Sequence, residues 1–135
     1  MAITLIAATD TAAINAACDA IVDLVDVGGA GSIIMQTAGD VEVATCTFSA
    51  TAFGASAAGV ATASAITNDS SATGNASAVT KFEVRDGAAT EIWNGTVAES
   101  GADLNIDDGT PGGGVVIGAG AVVSISSMTF TVAFV

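Results

Sequence analysis

The chain has no histidine and no tyrosine, and its 135 residues include only two basic side chains. Without histidine the commonest general base and the commonest metal ligand are missing, so catalysis would rest on carboxylates, hydroxyls or thiols. The two cations face 14 acidic residues, a net charge of −12. That balance argues against nucleic acid and against an anionic membrane surface, because both repel it. Two cysteines, Cys18 and Cys46, are too few for a disulfide scaffold. Two buried thiols are the default expectation, and a bond within the chain or between subunits is the alternative. Aromatic residues are scarce as well: five phenylalanines and one tryptophan. The start, MAITLIAATD, has neither the positive region nor the long apolar core of a secretory signal, which reads as a product assembled inside a cell.

What remains is small, apolar and acidic. A single domain of this length buries about 68% of its unfolded surface and needs no cross-links to hold a core. The uncharged run 109–135 is long enough to span a bilayer. It is rich in Gly, Ser, Thr and β-branched residues and lacks flanking cations, so it reads as buried strands and no membrane partner is expected.

One segment has helical period. Over residues 10–28, Ile14, Cys18, Ile21 and Val25 share a stripe, with Ala17, Val22 and Leu24 beside it and Asp19, Asp23 and Asp26 facing elsewhere. Asp10 or Thr11 can cap the start, and Gly28-Gly29 can end it. The late aspartates oppose the helix dipole, so burial of the stripe must hold the helix. Residues 32–135 read as β-rich. Segments 32–39, 41–50, 59–66, 78–86, 90–99, 102–107, 115–119 and 121–134 are strand candidates. About seven or eight strands after one helix predict a mainly β domain, an antiparallel sandwich or barrel. Residues 1–9 read equally as a first strand or as an arm whose Ile3 and Leu5 add to a neighbour's sheet edge.

The chemical motifs are weak. Segment 103-DLNIDDG-109 alternates oxygen ligands like the start of a calcium loop. However, Asp108 and Gly114 stand where an EF-hand needs Gly and Glu. The plainer reading is a strand with Leu104 and Ile106 inward. The glycines at 112–114 are followed by no Gly-Lys-Ser/Thr, so they form no phosphate loop. No cofactor, metal or catalytic residue is predicted.

The most distinctive segment is 81-KFEVRDGAATEIWNGTV-97, which holds the only lysine, arginine and tryptophan. As a strand it puts Lys81, Glu83 and Arg85 on one face and Phe82 and Val84 on the other. Two readings fit. The strand face is solvated and its cations pair with nearby acids, or Lys81, Arg85 and Trp93 form a partner interface, Trp and Arg being enriched at hot spots.

The order of motifs resembles a known group. An alanine-rich helix ends in Asp-Val-Gly-Gly-Ala-Gly. Then come Ala-Thr-Cys-Thr-Phe-Ser (44–49), Gly-Val-Ala-Thr-Ala (59–63), Phe-Glu-Val-Arg-Asp-Gly (82–87) and Asn-Gly-Thr-Val (94–97). Ser-Gly-Ala-Asp-Leu-Asn-Ile (100–106) and Val-Val-Ser-Ile-Ser-Ser-Met-Thr-Phe-Thr-Val (122–132) close the chain. Over nearly its whole length this resembles small virion proteins of tailed bacteriophages, encoded among head and tail genes. The shared motifs are structural rather than catalytic. The resemblance implies a non-enzymatic capsid decoration (cement) protein, bound in many copies across subunits of the head shell. Its partners would be the major capsid protein and copies of itself, and its place the virion assembled in the host cytoplasm. A tail or baseplate protein is the near alternative. A cell-surface adhesin-like or carbohydrate-binding β domain is the alternative of another class.

Overall fold

The computed structural model describes residues 7–106 and 114–133. The chain is mainly β with one N-terminal helix, as its residue pattern predicts. Helix α1 spans Ala7–Val22 and tightens into a 3-10 turn at Asp23–Asp26. It therefore starts earlier than expected and is not α-helical to its end. Val27 is extended, and Gly28 and Gly29 then take φ of 78° and 130°, a backbone reversal that only glycine makes at little cost. Cys18, Val22 and Val25 are buried as the stripe predicts, whereas Leu24 is exposed.

Among the described residues eight strands follow: β1 Ser32–Thr37, β2 Glu42–Phe48, β3 Val60–Thr62, β4 Ile66–Thr67, β5 Val79–Arg85, β6 Glu91–Ala98, β7 Leu104–Asn105 and β8 Thr129–Thr131. Six form a curled sheet in the order β4-β2-β1-β5-β6-β7, and β3 pairs with β8 in a second, small sheet. The large sheet is mixed rather than wholly antiparallel, because β7 runs parallel to β6. Parallel neighbours ordinarily need a long crossover. Here only two residue pairs match, Val97 with Leu104 and Ala98 with Asn105, so a short loop suffices.

Cross-strand partners share a face. One row on the inner face reads Cys46, Ile33, Val84, Trp93, and the next reads Ala44, Met35, Phe82, Gly95. Gly95 is required there: a Cβ would lie 2.6 Å from the Phe82 ring. The small sheet and α1 close over this face, and one continuous core joins Cys18, Val25, Ile33, Met35, Phe48, Val84 and Val115.

The helix is also tied down by polar groups that periodicity would send to solvent. Asp19 Oδ1 accepts from the Ser56 amide at 2.8 Å, Asp26 Oδ1 from Ala52 at 2.9 Å, and Asn15 Oδ1 from Gly59 at 2.8 Å. These bonds satisfy amides of the loop before β3 that no strand pairs. The Gly59 contact is tight, since a Cβ would fall 2.2 Å from Ile14 Cγ2.

The C-terminal part differs most from expectation. Among the described residues of 121–134, only Thr129–Thr131 is a strand. Residues 114–125 are instead a strap that turns at Ala119–Gly120, held by two isolated bridges, Val79 with Val115 and Asp69 with Val123, and by further backbone bonds at Ile117, Gly120 and Ala121. It buries Val115, Ile117, Val123 and Ile125 while Val116 and Val122 stay exposed. Among the described residues no helix is long and apolar enough to cross a membrane.

Candidate functional site

Strand β5 alternates as its sequence requires, with Phe82 and Val84 buried and Lys81, Glu83 and Arg85 on the outer face. Both cations are engaged within the chain. Arg85 donates from Nε and Nη2 to one oxygen of Glu83, at 2.9 and 2.6 Å. Lys81 pairs with Asp40, which sits with φ of 64° in the β1–β2 turn. Half-exposed pairs of this kind contribute little to stability. Their consequence is electrostatic: every other charged side chain in the chain is a carboxylate.

Trp93 is on the opposite face. Its cross-strand partner is the buried Val84, so the structure does not bring it together with Lys81 and Arg85. It belongs instead to a row of rings. Phe48 lies 5.4 Å from Phe53, Phe53 lies 6.0 Å from Trp93, and Trp93 lies 4.8 Å from Phe130. Trp93 thus packs against the core while remaining half-buried. Ile3 and Leu5 lie outside the described residues.

Cys18 and Cys46 are both free and buried. Each thiol faces a different backbone carbonyl: Cys18 Sγ donates to Phe130 O at 3.8 Å and Cys46 Sγ to Val123 O at 3.5 Å. Burial pushes the Cys46 thiol above its ordinary value. Its hydrogen bond with Asp69 backbone opposes this, and the Asp69 charge adds to it.

A cleft of about 410 Å³ opens where β6 meets β7 and β8. Its apolar lining is Phe82, Trp93, Leu104, Met128 and Phe130. Asn94, Asp103, Ser127, Thr129 and Thr131 also line it, and all five are exposed. Asp103 Oδ2 accepts from the Thr96 amide at 2.9 Å and from its hydroxyl at 2.8 Å. These two bonds, the amide first, hold the Asp103 carboxyl below the usual carboxylate range. The Asp103 amide lowers it further. Asn94 Nδ2 donates to Glu91 Oε1 at 2.6 Å, which leaves its own oxygen open.

The calcium-loop reading changes accordingly. Asp103 is committed to Thr96, and Leu104 is buried as the strand reading requires. Asp107 and Asp108 lie outside the described residues. Among the described residues no three His, Cys, Asp or Glu side chains converge as metal ligands.

The cleft as a unit is not apparent from the sequence. Its far wall comes from the closing segment, and its acid stands in a stretch that reads most plainly as a strand with Asp103 in water. The signal was the alternation of 127-SMTFT-131, which puts Met128 and Phe130 on one side and hydroxyls on the other. No protein-family model matches the chain, and neither the curated proteins nor the solved structures provide a match.

Proposed function

We propose that this chain is a non-enzymatic structural protein of a tailed-bacteriophage particle. In this reading it is a capsid decoration protein that binds in many copies across subunits of the head shell. The observation that carries the reading is the charge arrangement. Both cations are paired with acids of the chain, so every charged side chain left over is a carboxylate. Such a field steers the protein toward a basic protein surface and away from packaged nucleic acid. The resemblance of its motifs to small virion proteins supports the major capsid protein as that basic surface.

Expanded shells assembled without this protein provide the test. Added protein is expected to co-sediment with them, to raise their melting temperature, and to dissociate as salt screens the charge. Shells that neither bind it nor gain stability contradict the proposal.

A further inference from the structure

We infer that the cleft between β6 and β8 is an acceptor for an added β-strand, an extended basic segment of a partner protein. Gly95 pairs with Phe82, whereas the Thr96 amide donates to Asp103 and so points away from β5. Successive residues of a strand direct their N–H and C=O to alternate sides, so Asn94 also turns its pair away from β5. On β8, Met128 O accepts from Ala63 N and Val132 N donates to Gly59 O, each at 2.8 Å. Met128, Phe130 and Val132 therefore address β3, and Thr129 and Thr131 turn their backbone groups the other way. Beyond β5, β6 meets only the two residues of β7, and β8 pairs only with β3. Among the described residues no strand lies against Asn94, Thr129 or Thr131 on that side. All three line the cleft of about 410 Å³ and are exposed. Unpaired edge groups of this kind are templates for an incoming strand.

Side chains set the character of the guest. Alternation sends Trp93 and Phe130 inward, where the rings meet at 4.8 Å and close the floor of the cleft. Inward positions of the guest strand must therefore be small. Its outward positions fall beside Asn94, Thr129 and Thr131, with two carboxylates close by: Asp103 lines the cleft, and Glu91 accepts from Asn94. The cations of this outer face are already engaged. Lys81, across from Thr96, pairs with Asp40, and Arg85 pairs with Glu83. Outward positions of the guest therefore favour lysine or arginine. A second copy of the chain supplies no such strand, since its two cations both stand in β5 and its net charge is −12. Strand geometry and charge carry this independently of the virion reading.

The test titrates the full isotope-labelled chain with a capped heptapeptide alternating lysine with alanine. NMR is expected to show saturable shifts of the Asn94, Thr129 and Thr131 amides, and slower hydrogen exchange there. N-methylation of either alternate set of peptide residues is expected to weaken binding roughly tenfold, because both edges of the guest pair. The methylated peptides keep their charge, so the comparison separates strand pairing from ionic attraction. Thr131→Pro removes an edge donor that β3 does not use. It is expected to weaken binding comparably while the circular dichroism spectrum is retained. Three results would overturn the inference: no saturable shift at these amides, binding that N-methylation leaves unchanged, or equal binding of a glutamate–alanine peptide or of a peptide with the sequence of residues 1–6.

Discussion

Trp93 of β6 and Phe130 of β8 meet with ring centroids 4.8 Å apart, and this contact joins the large sheet to the small one. Strand β8 is three residues long and pairs only with β3. The rings therefore carry much of what holds the closing segment in place. Truncating Phe130 to Ala is expected to destabilise the fold by about 2–4 kcal/mol, somewhat below the full cost of a buried phenylalanine because the ring is partly solvated. A double-mutant cycle with Trp93→Ala, read by urea denaturation, should give a coupling of about 0.5–1.5 kcal/mol. Additive effects would show that the two rings do not support each other.

The turn after β5 rests directly on the backbone that ends the helix. A Cβ on Gly87 would fall 2.5 Å from Gly29 N, and one on Gly31 would fall 2.4 Å from Val25 Cγ1. Neither site has a flexible side-chain end alone to displace, because backbone atoms crowd both. Gly87→Ala and Gly31→Ala are each expected to cost about 1–3 kcal/mol. Gly118→Ala, where nothing lies within 4 Å and φ is not positive, serves as the comparison without crowding. Equal effects at all three positions would remove close packing as the cause.

Asp103 makes a pH prediction. Its folded value is depressed by the Thr96 amide and hydroxyl. Its contribution to stability is therefore present above the unfolded carboxylate value and is lost as pH falls through the folded one. The group is fully exposed, so the effect is small. Two-dimensional NMR titration should find the Asp103 carboxyl ionising below an ordinary aspartate. In Thr96→Val, which removes the hydroxyl but keeps the amide, part of that depression should disappear. An unchanged titration midpoint in the variant would assign the whole effect to the amide.

Cys46 acts at the other end of the scale. Its thiol is raised by burial, so the folded chain holds the proton more tightly than the unfolded chain. The stability it contributes is complete below the ordinary thiol value of 9.0 and declines as pH rises from there through the folded value. Cys46→Ala should flatten that alkaline decline. A thiol reagent at neutral pH should modify neither Cys18 nor Cys46 in the native protein and both after denaturation, since both are buried. Rapid modification of the native protein would contradict the packing described.

Much of the fold is legible in the chain because its strongest signals are local. Alternation marks β5 and, more weakly, β2, a short apolar run between Gly31 and Gly39 marks β1, and the pair Gly28-Gly29 marks the end of the helical segment. The exposed Leu24 and the bonded Asp19 and Asp26 were not legible. Their surroundings are set by the loop at residues 52–59, which no helical period encodes. The strap at 114–125 keeps the alternation of a strand but lacks a continuous ladder partner, so an apolar β pattern overstates its secondary structure. Lys81, Arg85 and Trp93 are close in sequence, yet the two-residue period of a strand and the turn at residues 86–90 send the indole to the face opposite the cations. The cleft was hidden for a related reason. It combines β6, the loop before β7 and β8, and only folding brings the last of these beside the first.

The most direct test of the central claim is copy number. Phage particles produced by the source of this chain are purified, and the amount of the chain relative to the major capsid protein is measured by quantitative mass spectrometry. Abundance comparable to that of the capsid subunits is the result a decoration protein predicts. A small fixed number per particle would place the chain in the tail or neck. Absence from particles would contradict the virion reading outright.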